Sequence, residues 1–224
     1  SEDGGIKSKA YGVLRSGSAT TALVLYAAGH APKEVTEPRR EQLNKAFGFL
    51  HRGIEKTGTI AAPDGTLDYP TYGAAMTLLA ADRLQLDIPG EDKQKLTEWI
   101  INAQLTEKYD VPPDSPQYGG WDLEATSGAS GGALKGSNIS ITSFALEALS
   151  SSMNKDAPGA VRRAKPWVAG CQNKDGGFIF HPWRQHPGNK AMWHDEAQTD
   201  AISYATPTCD GLRCLMYCGF KPDS

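Results

Sequence analysis

The chain has 224 residues, 39% of them hydrophobic, and a net charge of −3. That length buries a substantial core, while the near-neutral charge gives no bulk attraction for nucleic acid or an anionic membrane surface. No apolar run reaches the roughly 18 residues a bilayer span requires, and a start at Ser1 fits either a processed, secreted or periplasmic protein or a trimmed chain.

In chain order, the first apolar segment is Thr21 to Gly29, crowded with Ala22, Ala27 and Ala28. A more charged segment follows at Glu41 to Thr57, then a second small-residue segment from Ala74 to Asp82 and a second charged one from Asp92 to Thr106. The stretch Ser127 to Gly136, with glycines at 128, 131, 132 and 136, reads as a mobile loop; no strand precedes it, so it is no phosphate-binding fingerprint. Beyond it lie Ser143 to Ser151, the charged segment Pro158 to Gln172, an insertion from Phe180 to Thr199, and a last apolar segment, Gly211 to Gly219.

The four apolar segments superimpose without gaps, and a hydroxyl stands three residues before each: Ser18, Thr71, Ser140 and Thr208. Such side chains accept bonds from the orphan N–H groups of a first helical turn, so they are expected N-caps. Small side chains let helices approach closely, which suits an inner layer. The charged segments, with Phe47, Trp99 and Trp167 at equivalent positions, suit an outer layer wet on one side. The expected fold is therefore all-α, a single domain over residues 1–224 with about seven main helices arranged as hairpins.

A phrase also recurs between outer and inner segments. It reads Trp167, Gln172, Asp175, Gly176, Gly177, Phe178, and earlier Trp99, Gln104, Gly119, Gly120, Trp121; in the first unit Arg52 stands for the glutamine. A glutamine at a helix end can bond backbone groups of the next turn while the ring covers it, which is a structural task. Four cysteines, Cys171, Cys209, Cys214 and Cys218, lack paired zinc spacing and read as small buried hydrophobes. The alternative is one disulfide from Cys171 to the last segment, in an oxidising compartment.

This alternation and its Gln-x-x-x-Gly-x-aromatic turn resemble the squalene–hopene cyclase and protein prenyltransferase superfamily, and the entry Ser203-Tyr204-Ala205-Thr206 is similar to inner-helix entries of bacterial proteins with these repeats. The resemblance implies an α/α toroid with outer and inner rings and a ligand at the centre. Full toroids of that kind carry about six helix pairs against the four inner and three outer helices here, so it implies an open half-ring, a piece of a longer protein, or a subunit that completes its ring by self-association, with the exposed apolar inner surface signalling a partner or ligand.

For chemistry, the Asp-x-Asp-Asp acid motif of the cyclases is absent. The catalytic candidates are Asp210, just before the last inner segment, and Glu147, which replaces a leucine found at 25, 78 and 215. A buried Glu147 would suit general acid work, and Asp210 otherwise serves as a helix-end carboxylate. Tyr69, Tyr72, Trp183 and Tyr204 form a candidate aromatic mouth, able to stabilise a cation or bind an apolar molecule. Trp121 begins the loop that mirrors the insertion, and Arg184 with His186 would be the basic pair of a lyase-like toroid. His181, His186 and His194 near Cys209 lack the zinc spacing of prenyltransferases, and Asp195, Glu196 and Asp200 miss the magnesium pattern of terpene synthases by one residue, so no cofactor is called. The leading expectation is binding of an apolar, isoprenoid-like molecule; the alternatives are a non-catalytic protein-interaction module and a lyase-like toroid.

Overall fold

A computed structural model describes residues 1–62, 65–123, 136–184, 188–189, 192–197 and 201–220. Among the described residues it is all helical, with isolated β-bridges but no sheet. Seven helices exceed ten residues: α1 (Ser18–Ala28), α3 (Arg40–Arg52), α4 (Pro70–Leu84), α5 (Gly90–Asn102), α6 (Ile139–Ser150), α7 (Ala157–Gly170) and α8 (Ala205–Tyr217), with a single turn, α2 (Lys33–Thr36), between the first two. The expected loop at Ser127 to Gly136 lies almost wholly outside the described residues.

Two compact units make up the chain, residues 1–102 and 103–224. In the first, α1 and α4 lie side by side, with α3 against α1 and α5 against α4. Ala22, Ala74, Ala75 and Ala80 are fully buried, so the small residues do bring these helices close. In the second unit α6 and α8 pair and α7 packs on both, around Trp121, Leu146, Phe178 and Ile179. Each fully buried side chain of this size contributes about 1.5–3 kcal/mol.

The helix starts differ from expectation. Ser18, Thr71, Ser140 and Thr208 all lie inside their helices, whose caps are Gly17, Tyr69, Asn138 and Tyr204. Asn138 alone caps through its side chain, accepting the Ile141 N–H at 3.1 Å. Gly17 and Tyr69 enter in the left-handed region instead, and Pro70 then supplies a helix-ready φ. The hydroxyl that matters sits one turn further in: Thr21, Thr142 and Thr208 accept the backbone N–H of Ile6, Trp121 and Phe178 at 2.8, 3.2 and 3.1 Å.

Those three acceptances mark a turn that occurs four times rather than three: Gly4-Gly5-Ile6, Gly58-Thr59-Ile60, Gly119-Gly120-Trp121 and Gly176-Gly177-Phe178. The first glycine of each has a positive φ, 93°, 83°, 89° and 85° in order, a conformation glycine adopts without steric cost. The register of the first unit is thereby corrected. The bridge Ile54↔Ile60 matches Gln172↔Phe178, so Ile54, not Arg52, occupies the glutamine position. The matching aromatic is Phe49 rather than Phe47, because a Cβ on Gly5 would press on the Phe49 ring as one on Gly120 would press on Trp167.

Candidate functional site

The two acid candidates meet. Glu147 on α6 and Asp210 on α8 are both buried, and Arg213, one turn along α8 from Asp210, holds them together. Its guanidinium is ion-paired with the Glu147 carboxylate and lies 3.2 Å from Asp210 Oδ1. Ser143, one turn before Glu147, donates to Asp210 Oδ1 at 3.3 Å and lies 3.1 Å from Arg213 Nη1. The guanidinium carbon sits 4.6 Å from the centre of the Phe144 ring. Helical spacing explains the assembly: residues four apart on α6 and three apart on α8 project from single faces, and α6 packs on α8. The result is a closed charge cluster between two helices, with both carboxylates already engaged.

The aromatic candidates are divided between the two units. Tyr69 and Tyr72 stand 6.5 Å apart in an edge-to-face pair at the start of α4, where Tyr69 has φ 44°. A bulky residue there is strained. Beside it Asp68 is 1% exposed; one carboxylate oxygen accepts the Gly17 N–H at 2.8 Å, and the other has no partner among the described residues. Trp121 is fully buried, so its expected place among ligand-binding residues gives way to a place in the core. Thr142 of α6 accepts the Trp121 backbone N–H and so holds the turn against that helix.

Within the insertion, Asn189 gathers the backbone: its side-chain amide donates to the carbonyls of His181, Trp183 and Arg184, and its Oδ1 accepts the His181 N–H at 2.7 Å. Trp183 remains 47% exposed, Arg184 donates to Asn173 Oδ1, and His181 Nδ1 lies 2.6 Å from the Ser137 carbonyl. His186 and Asp200 lie outside the described residues. Tyr204 caps α8 through its backbone, its carbonyl accepting from the Thr208 hydroxyl. Sequence reasoning missed both Asn189 and Arg213. A lone loop asparagine carries no signal, but the Asp210-Arg213 spacing did.

The cysteines are free thiols, with Cys171, Cys214 and Cys218 buried and Cys209 exposed, so the alternative disulfide is not formed. Among the described residues no group of three or more His, Cys, Asp or Glu side chains converges as a metal site, and no helix is long and apolar enough to cross a membrane. A cavity of about 530 Å³ lies beside α3, lined by Phe47, His51, Gln85 and Leu86 among others; none of the expected site residues reaches it. Comparison with protein-family models and with curated proteins yields no match.

Proposed function

We propose that the chain is a non-catalytic helical-repeat module that binds another polypeptide, built on the hairpin repeat of the squalene–hopene cyclase and prenyltransferase superfamily. The observation that carries this reading is the Arg213 cluster, in which both candidate acids are engaged by one guanidinium. A cyclase needs an acid aimed at an apolar substrate, and an ion-paired carboxylate between helices is poorly placed to protonate one. Beside the part-exposed Arg213, α8 turns Cys209, Leu212 and Met216 to solvent. An apolar stripe of that kind is a protein-recognition feature. Incubation with squalene and with prenyl diphosphates, followed by product analysis, should give no turnover. A product that disappears in Glu147→Gln or Asp210→Asn would overturn the reading.

A second reading, an apolar small molecule held at the start of α4, is favoured by the strained Tyr69 and its edge contact with Tyr72. Native mass spectrometry of the purified chain separates the two, because a retained isoprenoid mass lost in Tyr69→Ala and Tyr72→Ala would support the small molecule.

A further inference from the structure

Asp68 and Trp99 stand at positions whose counterparts in the second unit are bonded to each other. A Cβ on Gly58 would strike the Lys95 carbonyl and Trp99 Cβ on α5, and one on Gly119 the Arg163 carbonyl on α7, so each of these turns lies on the charged helix that follows it. Trp99 comes four residues after Lys95 and Trp167 four after Arg163, which makes the two tryptophans equivalent. Ser137 immediately precedes the α6 cap Asn138, as Asp68 precedes the α4 cap Tyr69. In the second unit Trp167 Nε1 donates to Ser137 Oγ at 2.8 Å. In the first, Trp99 Nε1 and Asp68 Oδ1 are both buried, and neither has a partner among the described residues.

The residue at the turn accounts for the gap. Gly120 lies tight against the bonded pair, since a Cβ there would sit 2.5 Å from Ser137 Cβ, 2.6 Å from Trp167 Cε2 and 2.8 Å from Trp167 Nε1. Thr59 holds that position in the first unit and carries the Cβ that Gly120 lacks. Ring and carboxylate are thereby held apart by a side chain that serves neither: the Thr59 hydroxyl donates to Glu55 Oε2 at 3.0 Å and lies 2.8 Å from Thr57 Oγ1. The second Asp68 oxygen is committed to the Gly17 N–H at 2.8 Å. At the start of α1, where Ser16 precedes the cap and the matching ring is Phe49, no indole N–H needs an acceptor, and Ser16 Oγ pairs with Ser18 Oγ at 3.2 Å.

A buried donor and a buried carboxylate oxygen left without partners are costly, and one bound group relieves both only if it accepts a hydrogen bond and donates another. A hydroxyl does so, whereas a metal ion or an ammonium would satisfy the carboxylate and leave the indole N–H facing positive charge. We infer that a hydroxyl group, of water or of an alcohol, is bound between Asp68 and Trp99, accepting from Trp99 Nε1 and donating to Asp68 Oδ1. It replaces the direct bond of the second unit and ties α5 to the start of α4. Thr71 Oγ1, fully buried three residues after Asp68 and also without a partner among the described residues, offers a third group of the kind buried waters use. The site is independent of the protein-binding reading; an alcohol in it would add to the small-molecule reading, because Tyr69 adjoins it in sequence.

Magnetisation transfer from water to the indole N–H groups of the ¹⁵N-labelled full chain tests this, with Trp99→Phe assigning the signal. The Trp99 N–H should show transfer from a long-lived hydroxyl and the Trp167 N–H none. Titration with 1-octanol, against octane, separates the sources. A water occupant leaves the Trp99 signal indifferent to both, while an alcohol site gives a Trp99 shift with octanol alone and loss of the water transfer. Thr59→Gly combined with Asp68→Ser gives the first unit the residues of the second and should abolish the transfer; Thr59→Gly alone serves if that pair does not fold, as thermal melting shows. Neither water transfer nor an octanol-specific shift at Trp99, equal transfer at Trp167, or transfer that survives in the folded variant would overturn the proposal.

Discussion

Arg213 of α8 is ion-paired with Glu147 of α6, and the pair is lopsided: the glutamate side chain is 4% exposed and the arginine side chain 28%. The attraction therefore acts where water is scarce around one partner only. Truncating the arginine strands a buried carboxylate, whereas replacing both partners removes the problem.

Arg213→Met is expected to destabilise the chain by about 3 kcal/mol, and the double variant Arg213→Met with Glu147→Leu to recover most of that loss. Thermal or urea denaturation of the four members of the cycle measures it. Equal loss in single and double variants would mean that the pair is incidental to stability.

The two glutamines should respond unequally to truncation. Gln104→Ala removes the side-chain donor of the buried Gly119 carbonyl, a second bond to the Ala160 carbonyl of α7 and the acceptor of Arg163 Nε, and is expected to cost about 2–3 kcal/mol. Gln172→Ala removes one exposed bond and should stay within about 0.5 kcal/mol. Urea unfolding of both variants gives the comparison.

The helices were legible because glycine-rich turns separate segments of two distinct compositions, small and apolar or charged with an aromatic stripe. Register was harder. Phe47 and Phe49 are both buried, and it takes the Ile54↔Ile60 bridge and the collision partner of Gly5 to show that Phe49 matches Trp99 and Trp167. The fourth turn was present in the text, since Asp3-Gly4-Gly5 repeats Asp175-Gly176-Gly177, yet with no outer segment before it the pattern lacked a frame. Asp210 and Glu147 stood out singly as departures from a gapless superposition of the inner segments, although the paired threonines Thr21, Thr142 and Thr208 put Leu146 rather than Glu147 in register with Leu25. Their union through Arg213 depends on α6 packing against α8, a contact between residues 66 positions apart that no local pattern encodes.

Alkaline pH should weaken the fold through its thiols. Burial pushes Cys218 from 9.0 up to about 11, and pushes Cys171 and Cys214 well above the usual range. The folded chain then keeps protons that the unfolded chain releases. This contribution is complete below about pH 9 and is lost as the pH rises toward the folded values. Melting temperature measured across that interval should fall, and Cys209, the exposed thiol, should react with a thiol reagent well before the other three.

The most direct measurement is thermal denaturation of Gly58→Ala, Gly119→Ala and Gly176→Ala, three substitutions at one backbone conformation. All three bear the strain of a positive φ, about 1–2 kcal/mol. At Gly58 and Gly119 the new Cβ also strikes a helix carbonyl, so those variants should lose several kcal/mol more or fail to fold, while Gly176→Ala shows the strain alone. If all three fall by the same amount, the Gly176 turn is packed as closely as the other two and the contrast between them does not exist.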